Sequence, residues 1–355
     1  MVISWSSIPS QQKRKLTLIA LLLVMLIVMA LVALSNGPVK VPIKDLLEIL
    51  LSRLGLAEAE NISQQHIAAI EIIRLPRILC AILIGGALAA CGGAMQGLFR
   101  NPLADPGLIG ISAGAGLGAV ISISSFSSWF PEWSKTLGTF TTPLLAFFFA
   151  FMTTFLIYHL ATRHGRTDVP TMLLAGIAIN AFAGAITSYF VFLSDDDQIR
   201  SITFWMMGSL GHATWKELSL AAPLMLISIL SLPFLSKALN AFALGEAEAK
   251  YLGIDRERAK VLIICLTAAG VGSGVAISGM IAFVGLVVPH LVRLCIGPDN
   301  RFLMLGSIFL GGLLLLLSDL LARNLLAPVE LPIGIITAFI GAPFFLWLLL
   351  KMKRI

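Results

Sequence analysis

Charge is what this chain lacks most. Of its 355 residues only 12% are Asp, Glu, Lys or Arg, against about 25% in soluble globular proteins. That shortage excludes an ordinary soluble enzyme, a disordered segment and a nucleic-acid binder. Cysteine is scarce too. Cys80, Cys91, Cys265 and Cys295 each lie in or beside an apolar run, with no CxxC or Cys/His ligand spacing. Neither a disulfide framework nor a zinc site fits that distribution. Catalytic signatures are also missing. No GxxxxGK[ST] or HExxH run occurs, so no stretch reads as a nucleotide-hydrolysing loop or a metalloprotease helix.

What the chain does have is apolar length. Hydrophobic residues make up 58%. Lys13-Arg14-Lys15 precedes a run of 19 uncharged residues, 16–34. A secretory apolar region runs about 7–15 residues and a spanning helix about 20, so the run reads as a retained first transmembrane helix. Further spans fit at about 78–99, 108–127, 140–160, 170–193, 217–238, 261–279, 281–296, 303–322 and 332–350. The expected fold is an all-α polytopic membrane protein with about ten transmembrane helices, one domain over 1–355. An external loop of about 35–75 carries an interfacial helix over 41–54, and a charged cytoplasmic segment covers about 239–260. A Trp129-Phe130-Pro131-Glu132-Trp133 loop reads as an interfacial aromatic anchor.

Placing the N-terminus inside puts 16 of the 25 Lys and Arg on the cytoplasmic side, among them Lys13, Arg14, Lys15, Lys351, Lys353 and Arg354. That excess predicts both termini inside. Small residues recur at four-residue spacing in Gly110, Gly114 and Gly118 and again in Gly270 and Gly274, with Gly85-Gly86 and Gly92-Gly93 in the second span. Close helix packing within one subunit accounts for them, with a dimer interface as the alternative.

The deep spans are almost free of charge, Asp319 being the main exception. Ion-coupled carriers place ionisable groups at mid-membrane depth, so the pattern favours a pore-forming subunit driven from outside. The stretch 243–254, Ala-Leu-Gly-Glu-Ala-Glu-Ala-Lys-Tyr-Leu-Gly-Ile, reads as a short helix between glycines, suited to a groove on a soluble partner. A solvated loop is the other reading.

Several longer runs occur in a distinctive order: Arg74-Leu75-Pro76-Arg77, Gln96-Gly97-Leu98-Phe99-Arg100-Asn101-Pro102-Leu103-Ala104-Asp105-Pro106-Gly107, Leu173-Leu174-Ala175-Gly176, Leu244-Gly245-Glu246, Gly285-Leu286-Val287-Val288-Pro289-His290, Leu331-Pro332-Ile333-Gly334 and Gly341-Ala342-Pro343. With these runs the chain resembles the permease subunits of bacterial ATP-binding-cassette importers for iron-siderophores, heme and cobalamin, over about residues 40–351. The resemblance implies a type II importer fold in the inner membrane and a homodimer with a central pathway. It implies two cytoplasmic ATPase subunits that carry ATP and Mg, and a periplasmic or lipid-anchored substrate-binding protein. No cofactor is implied for this chain, only heme or a ferric chelate as cargo and membrane lipid around it.

Site residues carry over by motif. Leu244, Gly245, Glu246, Ala249, Leu252 and Gly253 match the ATPase-coupling segment, with Gly245, Glu246 and Ala249 expected at the contact. Arg74, Arg77 and Arg323 match outward-facing arginines that meet acidic residues of the binding protein. Asn101 and Leu103, with Val169, Pro170 and Thr171, match the cytoplasmic gate, where Pro102 and Pro106 interrupt helix. Asp168-Val169-Pro170-Thr171 departs from the small hydroxyl residues of the cobalamin-type pattern. Asn180, Ser188, Trp205, Met206 and Met207 are expected along the translocation pathway.

The run 195–211 and Gly297-Pro298-Asp299-Asn300-Arg301-Phe302 resemble heme permeases more than siderophore ones. Asp195, Asp196 and Asp197 also raise an intramembrane enzyme that binds magnesium-diphosphate, but only one such cluster exists and it falls on the external side. A helix start is the better account of it. The five histidines, His66, His159, His164, His212 and His290, form no set.

Overall fold

The computed structural model describes residues 9–37, 39–53, 55 and 62–352. Its helices, in chain order, are α1 (Ser10–Ser35), α2 (Ile43–Arg53), α3 (Gln64–Leu98), α4 (Ile111–Trp129), α5 (Pro131–Ala161), α6 (Val169–Leu193), α7 (Asp196–Met207), α8 (Trp215–Leu244), α9 (Glu246–Tyr251), α10 (Arg256–Ser278), α11 (Val284–Ile296), α12 (Asn300–Asn324) and α13 (Ile333–Met352). Among the described residues eight are long and apolar enough to cross a membrane: α1, α3, α4, α5, α6, α8, α10 and α12. The shorter apolar helices α11 and α13 fall on the remaining two predicted spans. The terminal Lys353 and Arg354 lie outside the described residues.

Polar residues set the helix starts. Asp168 caps α6 by accepting from Thr171 N, and Pro170 sits in the first turn. Asp195 and Gln198 form a capping box on α7, Thr214 and Glu217 one on α8. Each such cap satisfies backbone N–H groups that a helix start leaves free. Between α3 and α4, Asn101-Pro102 and Asp105-Pro106 break the helix, leaving a single 3-10 turn at Pro106–Ile109.

Two features differ from the sequence expectation. Helix α3 begins at Gln64 rather than near 78, running through a π-helical stretch at Ala69–Arg74. A two-residue hairpin, β1 (Thr162–Arg163) and β2 (Arg166–Thr167), precedes α6. His164 and Gly165 turn it, both with positive φ (52° and 71°), as tight hairpin turns require.

Helix α3 is the hub, enclosed by α8, α10, α11 and α12. Its contact with α12 brings backbones together. A Cβ on Gly85 would lie 2.3 Å from the Gly311 carbonyl oxygen, and one on Gly311 equally close to Gly85 O. The second glycine stripe also packs within the chain. A Cβ on Gly114 would meet Thr153 Oγ1 at 2.2 Å, and one on Gly118 the Leu145 carbonyl at 2.3 Å, both on α5. Lipid gives helices no hydrophobic drive to associate, so such close packing has to hold them. By contrast α6 turns Leu174, Ile177, Phe182, Tyr189 and Phe192 outward.

Alternating helices define two faces. The start of α1, the hairpin and α9 share the first face, where Lys15 Nζ sits 5.1 Å from the Phe302 ring at the start of α12. Helices α2 and α7 lie at the second. There Arg53 on α2 pairs with Glu71 at 2.6 Å, and Trp215 Nε1 donates to the Glu71 carbonyl at 2.8 Å. The pairing raises the Arg53 guanidinium above its ordinary range. Trp129, Phe130 and Trp133 are exposed, Trp129 packing edge-on against Phe190 at 5.8 Å.

Candidate coupling, gate and docking sites

On the first face the chain leaves α8 through Gly245, whose φ of +138° is glycine territory. Glu246 then opens α9. Leu244, Tyr251 and Leu252 are 69%, 91% and 61% exposed. Three bare apolar side chains on a polar loop form an unpartnered contact face. Gly253 ends the segment with φ +76°. Ala249 differs from the contact role expected of it. It is fully buried, so it seats α9 on the bundle, while Tyr251, which the sequence reading did not select, projects furthest.

Glu246 turns toward the bundle. Its Oε1 lies 3.0 Å from Lys260 Nζ, and Lys260 is only 2% exposed. The same ammonium donates to the Thr167 carbonyl at 2.9 Å and reaches Glu257 Oε1 at 3.4 Å. Glu257 Oε2 in turn accepts from Thr167 N at 2.9 Å. In the sequence Lys260 ends the charged segment of about 239–260. Only the Glu257 pairing, at i,i+3, is local; Glu246 and the Thr167 carbonyl lie 14 and 93 positions away.

The expected gate residues divide into two groups. Val169, Pro170 and Thr171 open α6 directly after the hairpin. Asp168 Oδ2 accepts from Thr171 Oγ1 at 2.6 Å and from Thr171 N at 2.9 Å. Those two donors hold the Asp168 carboxyl below the usual carboxylate range. Asn101 Oδ1 accepts from Leu103 N at 2.9 Å and so shapes its own loop. Among the described residues no hydrogen bond or ion pair joins Asn101 or Leu103 to Val169, Pro170 or Thr171.

Of the expected pathway residues, Asn180 donates to the Gly107 carbonyl at 3.1 Å and ties α6 to the α3–α4 loop. Ser188 is exposed and bonds back to Gly184 O at 2.9 Å. Trp205 lines a cavity of about 470 Å³ near the second face, together with Arg200, His212, Glu217 and Thr142. Met206 is exposed, and Met207 abuts Gly334 at the start of α13. Asp195 is occupied as a cap, and Asp196 and Asp197 occupy the first turn of α7. His66 pairs with Asp45 at 2.6 Å, and His290 packs against Phe344.

The three expected docking arginines lie together near the second face, but none is bare. Their exposures are 3% for Arg74, 6% for Arg77 and 4% for Arg323. Arg74 donates to the carbonyls of Leu34, at 2.5 Å, and Val39. Arg77 Nε donates to Asp319 Oδ1 at 2.9 Å, and its Nη1 and Nη2 face the two oxygens of Glu330 at 3.0 Å. Arg323 Nε approaches Asp319 Oδ2 at 3.1 Å. Arg77 is balanced by Asp319 and Glu330 and Arg74 is held by two carbonyls, while Arg323 faces Asp319 with its Nε and Nη2 making no hydrogen bond among the described residues. The acidic partners Asp319 and Glu330 were not foreseen. Of the five groups Glu330 is the most exposed, at 40%.

Comparison with known proteins matches this architecture. The FecCD transport family model matches residues 23–351. The hemin transport system permease protein HmuU of Yersinia pestis is 44% identical over 283 residues, covering 79% of this chain and 83% of that protein. The vitamin B12 import system permease protein BtuC of Escherichia coli O9:H4 (strain HS) is 40% identical over 282 residues, with the same two coverages. A solved metal-chelate type ABC transporter in an inward-facing conformation superposes with a TM-score of 0.80 at 31% identity, covering 94% of this chain and 99% of that one. The match spans nearly all of the ten apolar helices and both faces. On these grounds the chain belongs to the FecCD transport family, the permease subunits of bacterial ABC importers.

Proposed function

We propose that the chain carries heme inward across the bacterial inner membrane, as one transmembrane domain in a homodimer with both termini cytoplasmic. The observation that carries the cargo reading is the 44% identity to a hemin permease over most of both chains. The first face is then cytoplasmic and the second periplasmic. ATP hydrolysis by two partner subunits moves the segment 244–252, whose exposed Leu244, Tyr251 and Leu252 supply the contact. Alternating access follows at the constriction of Asn101 and Leu103 with Val169, Pro170 and Thr171. Cargo passes Asn180, Ser188, Trp205, Met206 and Met207.

A substrate-binding protein docks on the second face above Arg74, Arg77 and Arg323. Because Glu330 already holds Arg77 there, an acidic partner engages that arginine by displacing Glu330. A cobalamin or ferric-chelate cargo is the second reading, favoured by the 40% identity to a vitamin B12 permease over the same length.

Uptake into proteoliposomes tests the proposal, with the ATPase and binding protein present and hemin, a ferric siderophore and cobalamin compared. ATP-dependent uptake of hemin alone is the expected result. ATP-dependent uptake of another cargo overturns the heme assignment, and uptake independent of ATP overturns the mechanism.

A further inference from the structure

Both backbone polar groups of Thr167 are gripped by α10. Lys260 Nζ holds its carbonyl at 2.9 Å, and Glu257 Oε2 takes its N–H at 2.9 Å. Thr167 ends β2, and the next residue, Asp168, caps α6. The same Lys260 ammonium binds Glu246 on α9 at 3.0 Å. One buried side chain therefore joins three elements: α9, the foot of α10, and the hairpin that leads into α6. A lysine ammonium has three donors, and here each faces one of Glu246, Glu257 and Thr167. None is left for water.

We propose that Lys260 is the positioning residue that transmits movement of α9 to the start of α6. It thereby couples the ATPase contact to the cytoplasmic constriction. The inference rests on the proposed roles of 244–252 and 169–171. Its physical basis is a difference in resistance. Charge-assisted bonds from a buried ammonium resist separation more than a neutral contact does. The hairpin carries only two residue pairs and a two-residue turn, so it is the compliant member. When α9 shifts, the chain Glu246–Lys260–Thr167 holds, and the hairpin with the first turn of α6 follows. Glu246 thus faces inward as a lever, while Tyr251 and Leu252 face outward as the surface that is pushed. This separates the two functions within one short segment.

The test uses the full complex in proteoliposomes, with Cys265→Ser and Cys295→Ser to clear the exposed thiols. A spin label is placed at Arg166→Cys on the hairpin. In the otherwise unaltered chain, adding ATP without any cargo changes the label's mobility. Lys260→Met and Glu246→Gln each abolish that change and lower transport per ATP hydrolysed at least tenfold. Co-purification with the ATPase stays intact. Glu246→Gln guards against a folding failure of Lys260→Met, because it leaves the grip on Thr167 in place. An ATP response and a transport ratio within twofold of the parent in Glu246→Gln, or in a well-folded Lys260→Met, overturn the inference. The underlying docking reading is judged separately by Tyr251→Asp with Leu252→Asp. If that variant still binds the ATPase, the reading of 244–252 fails. If it loses the ATPase while Lys260→Met and Glu246→Gln behave as the parent, the Lys260 inference alone fails.

Discussion

Arg77 Nε meets Asp319 Oδ1 at 2.9 Å across 242 positions of sequence. The pair fastens α3, the hub helix, to α12 just below the second face. Asp319 also faces Arg323 at 3.1 Å, so one carboxylate balances two buried cations.

Asp319→Asn therefore removes the carboxylate paired with Arg323 and one of the two that hold Arg77. Breaking a buried pair by removing one partner costs about 3–5 kcal/mol. Thermal unfolding of the purified protein in detergent should show a large drop in Tm. An unchanged Tm would mean that the pair contributes nothing.

Glu330→Gln acts in the opposite sense on docking. It removes the charge that competes for Arg77 while keeping the side chain's size. Affinity for the binding protein should rise by roughly tenfold, or about 1.4 kcal/mol. Surface plasmon resonance on nanodisc-held permease measures it, and a fall in affinity contradicts the competition.

Gly85→Val forces a branched side chain against the Gly311 carbonyl, which a Cβ would already approach to 2.3 Å. The neighbour is backbone and has nowhere to turn. Overpacking of this kind typically costs about 1–3 kcal/mol or more. Yield of monodisperse protein should fall sharply, whereas Gly184→Val, with nothing near its Cβ position, should leave yield unchanged.

Asp168 gives a pH signature. Its carboxyl is depressed in the folded state by the Thr171 hydroxyl and amide. The stabilisation is complete above the unfolded carboxyl value of about 3.9 and disappears as pH falls through the lower folded value. The Tm difference between the parent and Asp168→Asn should be constant from about pH 7 to about pH 5 and shrink below about pH 4. A difference that instead grows on acidification contradicts the cap.

Much of this architecture is legible in the sequence. Uncharged runs of spanning length locate the helices, because hydrocarbon thickness fixes how long they must be. Gly110, Gly114 and Gly118 announce a helix contact, since lipid leaves only close packing to hold helices together. Motif order carries the family. Three-dimensional partnerships are another matter. Arg74 and Arg77 look like free surface charges in a linear reading, because the Leu34 and Val39 carbonyls, Asp319 and Glu330 lie 35 or more positions away, whereas Arg323 has Asp319 four residues before it on the same helix. Lys260 is masked likewise, since Glu246 and the Thr167 carbonyl lie 14 and 93 positions away and the Glu257 spacing is that of an ordinary helix-surface pair. The π-helical stretch at Ala69–Arg74 and the two-pair hairpin are too short to impose a period on the sequence.

Helix α11 bears on how the chain enters the membrane. At 13 residues it measures about 20 Å, against about 30 Å of hydrocarbon. Partition into lipid alone does not hold so short a segment across the bilayer. Its place is made by α3, through the contact of Gly92 with the Gly285 carbonyl and a 3.1 Å bond from Gln96 Nε2 to Leu286 O. Those residues of α3 are synthesised some 190 positions earlier. The insertion machinery must therefore release α3 into the bilayer and keep it within reach while α11 emerges. For this segment, membrane insertion and tertiary folding are a single event.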